Sequence, residues 1–196
     1  MQKKIYDGLE IAVIGISGQF PKSEDYRSYW KNLCEEGDLF THFTDQEVLD
    51  SGVSKNNLNN ERYVKVSGVL EGKEYFDHGF FEYRPEEVSL MDPQIRIFHE
   101  HCWKALEDAG CISQNEKKKI GLFAGASENG NWKLYTYTKS GDTSIDPFYL
   151  QMISNQNYLS TLTSYKLNLK GPSLSISTAC STSLVAVDLA CRSLLT

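Results

Sequence analysis

The stretch from Leu174 to Leu195 constrains the fold more than any other part of the chain. Leu174-Ser175-Ile176-Ser177-Thr178 reads as a strand, weakened by its hydroxyls. Ala179-Cys180-Ser181-Thr182-Ser183 follows as a tight turn of small residues, and Leu184 to Cys191 is apolar nearly all round, with Asp188 the main exception. A helix without a polar face belongs in the middle of a domain. The three pieces therefore predict strand, turn and buried helix in succession, with Cys180 at the helix N-terminus. Unpaired amides and the positive end of the helix macrodipole converge there, and such a position favours the thiolate, the nucleophilic form of a cysteine. Ala179 and Ser181 leave room beside the sulfur for a bound acyl group. This is the geometry of a nucleophile elbow, though not of the hydrolase kind, because Gly-x-Ser-x-Gly occurs nowhere in the chain. On spacing alone, a Ser/Thr-rich turn holding a structural cysteine fits the same residues.

The rest of the chain supplies strands and helices in alternation. Ile11 to Ile16 is a continuous apolar run, bounded by Gly15 and Gly18, that predicts a strand buried on both faces. Ser23 is a candidate helix cap ahead of Tyr26, Tyr29, Trp30 and Leu33 at helical spacing. Residues 50–62, rich in Ser and Asn, read as a surface loop, and Tyr63 to Leu70 as a short strand or extended arm. The clearest helix begins at Asp92-Pro93, a cap followed by a proline that fits the first turn. Its stripe is Ile95, Phe98, Cys102, Ala105, Leu106 and Ala109, and Gly110 stops it. Lys119 to Gly125 predicts a second buried strand, residues 147–167 are mainly helical, and Gly171-Pro172 breaks that pattern. Strands separated by helices predict an α/β fold with parallel strands.

Charge and cysteine usage exclude several function classes. Twenty Lys and Arg stand against 26 Asp and Glu, a net charge of −6, which is no footprint for nucleic acid. No apolar run approaches the roughly 18–20 residues that span a bilayer. Lys3 and Lys4 precede the first apolar run, but Asp7 and Glu10 interrupt it, a poor signal peptide. A cytoplasmic protein is expected. Cys34, Cys102, Cys111, Cys180 and Cys191 are odd in number and form no close pair, against both a disulfide framework and a zinc site. His99 and His101 do not share a helical face, so no metal pair is expected, and His42 and His78 complete a set read as structural or solvent-facing. Gly15-Ile16-Ser17-Gly18 lacks both the dinucleotide fingerprint and the P-loop lysine. Glu116-Lys117-Lys118-Lys119 reads as a solvated loop, and Asp92, Glu107 and Asp108 as caps and surface charges.

Several longer motifs, in order, carry a resemblance to a family. Thr178-Ala179-Cys180-Ser181-Thr182-Ser183-Leu184-Val185-Ala186 resembles the nucleophile motif of the ketosynthase (β-ketoacyl-[acyl-carrier-protein] synthase) domains of modular polyketide synthases. Ile11-Ala12-Val13-Ile14-Gly15 with Gly18-Gln19-Phe20-Pro21, and Tyr29-Trp30, are similar to the opening strand, loop and helix of that family. Phe80-Phe81, Met91-Asp92-Pro93-Gln94, Arg96 and Trp103-Lys104-Ala105-Leu106-Glu107-Asp108-Ala109-Gly110 are similar to its signature helix. Gly121-Leu122-Phe123-Ala124-Gly125 matches the next strand, and Ser164-Tyr165-Lys166-Leu167-Asn168-Leu169-Lys170-Gly171-Pro172-Ser173 the approach to the cysteine.

The resemblance implies a thiolase-like α/β fold and a decarboxylative Claisen condensation. An acyl chain would pass from the phosphopantetheine thiol of an upstream acyl carrier protein to Cys180, and a malonyl-type extender on a second carrier protein would lose CO2 and attack the thioester. Cys180 is the catalytic residue carried over, with its N–H as one of two oxyanion donors. The chain itself is expected to bind no cofactor and no metal; phosphopantetheine arrives on the partner. Two histidines that the family uses on the extender, one in His-Gly-Thr-Gly and one near a Lys-Ser pair, have no counterpart here, and His42, His78, His99 and His101 match neither. Residues 1–196 are accordingly expected to be the N-terminal portion of a β-ketoacyl synthase domain, ending on the nucleophile helix and inactive without a C-terminal part supplied in cis or in trans. The complete domain is expected to be a homodimer. A local departure is Asn155-Gln156-Asn157-Tyr158 with Leu162, where the family has Asn-x-x-Asp and an Arg. A different class of function, a non-catalytic module that binds carrier proteins or a partner subunit, would use the same fold without acylation.

Overall fold

The computed structural model describes residues 8–112, 119–139, 141 and 144–195. Glu116, Lys117 and Lys118 of the basic cluster lie outside them, as do Lys3, Lys4 and Thr196. The chain divides into two compact units, Ser17–Lys73 and Met1–Ile16 with Glu74–Thr196.

In the smaller unit, α1 (Tyr26–Cys34) starts two residues later than expected. Asp25, not Ser23, is its cap: the Asp25 carboxylate accepts from the Ser28 N–H at 2.7 Å and the Ser28 hydroxyl reciprocates at the Asp25 backbone. Ser23 is instead buried, its hydroxyl accepting from Asn32 Nδ2 at 2.9 Å. Phe20 stacks on Tyr29 with ring centroids 4.1 Å apart. β1 (Thr41–His42) pairs antiparallel with β2 (Val66–Ser67), so only two residues of the predicted Tyr63–Leu70 arm enter a ladder. Between them lie α2 (Asp45–Asp50), boxed by Thr44 and Glu47, and α3 (Lys55–Leu58), capped by Ser54 inside the expected loop.

The larger unit holds the main core. α4 (Pro85–Leu90) and α5 (Pro93–Asp108) meet at Met91 and Asp92; the Asp92 carboxylate accepts from the Gln94 N–H at 2.9 Å and Pro93 opens the helix. Gly110 ends it at φ +66°, a left-handed turn that any side chain would strain. Ile95 of the predicted stripe is fully buried, but the other two buried positions of α5 are Arg96 and His99, which an apolar stripe cannot reveal. α6 (Gly130–Lys139) and α7 (Pro147–Ile153, capped by Asp146) follow, then a 3-10 turn over Gln156–Tyr158 and α8 (Leu159–Lys166). Met91, Ile95, Ile153 and Leu159 form the driest part of the core. The departure at 155–162 acquires a local account: Asn155 caps the 3-10 turn through the Asn157 N–H at 2.9 Å, and Leu162 packs into the core. Tyr158, packed against the core, and Leu162, buried in it, stand at the two positions where the resemblance implies an acid and a base, so neither charge is left without its partner.

β3 (Leu122–Ala124) and β4 (Ser173–Ser175) are parallel, in register Leu122↔Ser173, Phe123↔Leu174 and Ala124↔Ser175, and α9 (Thr182–Leu195) lies against β3 with Ala186 buried. Two sequence expectations are corrected. Residues 11–16 enter no ladder, and Val13 is 84% exposed. The run is tied to α5 by an Ile16 N–H bond of 2.9 Å to Asp108 Oδ2. An apolar run makes a strand ready for burial, but the ladder needs a neighbour, which composition does not supply. Likewise α9 forms as expected but is not covered: Leu184 is 77% and Leu194 72% exposed. Among the described residues no helix is long and apolar enough to cross a membrane.

Candidate active site at the head of the last helix

Cys180 is reached directly from β4. The Ile176 N–H donates to the Ala124 carbonyl at 2.8 Å and carries the ladder one residue beyond the strand. Thr178 then leaves it (φ −134°, ψ 34°) and Ala179 adopts φ +53°. A 3-10 turn over Ala179–Ser181 runs straight into α9. A left-handed non-glycine residue costs about 1–2 kcal/mol, so the turn must be held. Hydroxyls hold it: the Thr178 N–H donates to Thr182 Oγ1 at 2.9 Å, Thr182 Oγ1 donates to the Ala179 carbonyl at 2.8 Å, and Ser181 Oγ donates to the Thr178 carbonyl at 2.8 Å.

Gly125, just past β3, makes room for this turn. A Cβ there would lie 2.1 Å from the Ile176 carbonyl oxygen and 2.4 Å from Thr182 Cγ2, distances that real side chains do not tolerate. Cys180 and its neighbours Ala179 and Ser181 are exposed. The thiol therefore stands at a helix start, open to a ligand, as the sequence predicts.

The other cysteines lie in different settings. Cys102 is on α5, where burial pushes its thiol up to about 12. Cys111 places its Sγ 3.5 Å from the Ala109 carbonyl, Cys191 is partly buried on α9 and Cys34 is exposed on α1. A groove of about 670 Å³, floored by Phe80, Trp103 and Leu106, includes Cys111 among its lining residues but not Cys180.

No histidine joins the site. His99 is fully buried, with Nδ1 2.8 Å from the Ile95 carbonyl and 3.1 Å from Thr163 Oγ1, and Nε2 3.2 Å from the Tyr83 hydroxyl. Both nitrogens are occupied, and burial drives its pKa down to about 4, so it stays neutral at physiological pH. Burial also lowers the pKa of His101. His78 Nδ1 lies 3.2 Å from the Tyr83 carbonyl, and His42 pairs with Asp38 at 2.6 Å on the surface. No group of three metal-binding side chains occurs among the described residues.

The sequence singles out Cys180 as the candidate but gives no role to Thr178, Thr182 and Gly125, which brace or make room for its turn. The signal for the first two was present: hydroxyl residues four apart across a strand-to-helix turn are placed to bond its backbone.

The β3–β4 pair, the elbow and α9 define the architecture first. Solved structures similar to this chain are ketosynthase domains of the thiolase-like fold. Ketosynthase twelve of the bacillaene polyketide synthase of Bacillus amyloliquefaciens matches with a TM-score of 0.79 and 33% identity, over 93% of this chain and 32% of that one. The oxazolomycin ketosynthase domain of Streptomyces albus JA3453 matches at 0.75 and 28%, over 93% and 31%. The family model described as β-ketoacyl synthase, N-terminal domain, matches residues 9–196, and the chain belongs to that family. Curated relatives include a component of the phenolphthiocerol/phthiocerol polyketide synthase of Mycobacterium tuberculosis, 37% identical, and the polyketide synthase PksN of Bacillus subtilis, 35% identical. The match covers 94% of this chain in both cases, but 13% and 3% of those relatives.

Proposed function

We propose that this chain is the nucleophile-bearing segment of a polyketide synthase condensing domain, an acyltransferase of the β-ketoacyl synthase type, and that Cys180 is its acyl acceptor. The observation that carries the reading is the exposed Cys180 thiol on a braced strand-to-helix turn at the start of α9. The thiolate attacks the thioester carbonyl of an acyl chain borne on the phosphopantetheine of an acyl carrier protein. The carbonyl oxygen becomes an oxyanion facing the Cys180 N–H at the helix start. Its collapse expels the carrier thiolate and leaves the acyl group on Sγ. A malonyl-type extender on a second carrier protein then loses CO2, and its carbanion displaces Cys180 from the thioester, forming the new C–C bond.

The second half of that cycle needs groups to activate the extender. His99 is neutral and saturated with hydrogen bonds, so it does not serve. We therefore assign residues 1–196 to the N-terminal portion of the domain, completed by a C-terminal portion in cis or in trans that brings the two histidines. The exposed apolar side chains of residues 11–16 and of α9 support this, since Val13, Leu184 and Leu194 are the surface a complementing segment would cover. Homodimerisation of the complete domain follows from the same family reading, and the cysteine usage and poor signal peptide support a cytoplasmic location.

The test loads the full-length protein with an acyl-pantetheine thioester and maps the peptides by mass. The acyl mass is expected on the Cys180 peptide and not on those of Cys34, Cys102, Cys111 or Cys191. Acylation elsewhere with Cys180 unmodified overturns the assignment, and carrier-protein binding without any acylation favours the non-catalytic module.

A further inference from the structure

We infer that Thr182 is the positioning residue for the Cys180 thiol, a role that rests on the reading of Cys180 as acyl acceptor and goes beyond it. Both branches of this side chain are engaged. Its Cγ2 sits so close to Gly125 that a Cβ on that glycine would come within 2.4 Å of it. Its Oγ1 accepts from the Thr178 N–H at 2.9 Å and donates to the Ala179 carbonyl at 2.8 Å. A β-branched side chain has few rotamers, so seating the methyl fixes the direction of the hydroxyl.

The consequence is a chain of constraint from the sheet to the sulfur. β3 sets Gly125, Gly125 seats the Thr182 methyl, and the Thr182 hydroxyl clasps the turn on both sides of Ala179, at φ +53°. Cys180 is the next residue, so its Sγ inherits the orientation of that clasp. Ser181 does not offer the same linkage: its hydroxyl reaches only Thr178, at the carbonyl (2.8 Å) and at Oγ1 (3.0 Å). The Thr182 hydroxyl bonds to the backbone of Thr178 and Ala179 and not to the Cys180 sulfur, so its effect is on the placement of the nucleophile.

The experiment compares Thr182→Val, which keeps the branch and removes the hydroxyl, Thr182→Ala, which removes both, and Thr182→Ser, which keeps the hydroxyl, in the full-length protein. Two rates are read at Cys180 by peptide mass mapping: iodoacetamide alkylation across a pH series, and acyl transfer from an acyl-pantetheine thioester. Misplacement of a reacting group by about 1 Å costs as much as roughly 100-fold, so the Val and Ala variants are expected to lose roughly 10- to 100-fold in acyl transfer and to shift the alkylation pH profile. Thr182→Ser is expected to stay within roughly threefold of the parent protein. Parent-like rates and profile in both hydroxyl-free variants overturn the inference. Loss of folding in both overturns it as well, because the role would then be structural. A parent protein that is alkylated but never acylated at Cys180 removes the acyl-acceptor reading instead, and the alkylation profiles still decide the role of Thr182.

Discussion

The His99 centre and the Cys180 elbow belong to the same compact unit, and each carries a side chain with acid–base or nucleophilic chemistry. They are built in opposite ways. His99 is enclosed by Phe76, Phe81 and Tyr83, with a partner on each nitrogen. Its partners come from α5, α8 and the segment before α4, so its work is to tie three parts of the chain together. Cys180 stands in the open on a turn that contains a left-handed alanine, and the bonds there are made by its neighbours' hydroxyls and backbone. Enclosure and satisfied hydrogen bonds make a titratable side chain inert. Exposure on a strained, braced turn leaves one available for chemistry.

The sharpest way to break this contrast is to delete each side chain in the full-length protein. Cys180→Ala is expected to lower acyl loading by roughly 10⁴-fold or more while leaving hydrogen exchange in α5 and α8 as it was. His99→Ala is expected to do the reverse in kind. It leaves a cavity and strands the Tyr83 hydroxyl, at a cost of about 3 kcal/mol read from faster exchange in those helices. Acyl loading that survives Cys180→Ala would dissolve the distinction.

The next effect is a pH dependence. His99 has a folded pKa of about 4 against an ordinary 6.5, so the unfolded chain binds the extra proton first as pH falls. The stability linked to its neutral form is complete above about pH 6.5 and is lost on acidification through pH 4, amounting to about 3 kcal/mol. His99→Gln is expected to flatten this portion of the stability–pH curve, measured by exchange in α5 between pH 7 and pH 4. An unchanged slope would mean that His99 is not the buried neutral base described here.

The smallest effect sharpens the contrast between two cysteines. Burial holds the Cys102 thiol up at about 12, whereas Cys180 is exposed. At pH 8, iodoacetamide is expected to label Cys180 at least roughly tenfold faster than Cys102 in the folded protein. Equal rates would show that the α5 packing around Cys102 opens readily.

The linear sequence determined the features whose causes are local. Asp92, Pro93 and Gly110 mark the ends of α5 because capping and left-handed termination involve residues within one turn. The elbow was legible for the same reason: small residues, hydroxyls and an apolar helix follow one another along the chain, so Cys180 could be singled out before any contact was known. Motif order then carried the family, and with it the thiolase-like fold.

Only the tertiary structure decided what depends on residues distant in sequence. His99 carries a polar side chain whose burial the sequence does not announce, and its hydrogen-bond partners Tyr83 and Thr163 lie 16 and 64 residues away. Residues 11–16 have the composition of a buried strand, yet they form no ladder, because pairing is a property of two segments and composition describes one. The apolar character of α9 was readable, but which of its side chains are covered was not: Ala186 is buried, while Leu184 and Leu194 stay open. Nor could the sequence reveal that Gly125 seats the methyl of Thr182, since that needs the end of one strand brought against the start of a helix. Local propensity and capping act over a few residues and are written in order, whereas burial, pairing and close approach exist only once distant segments meet.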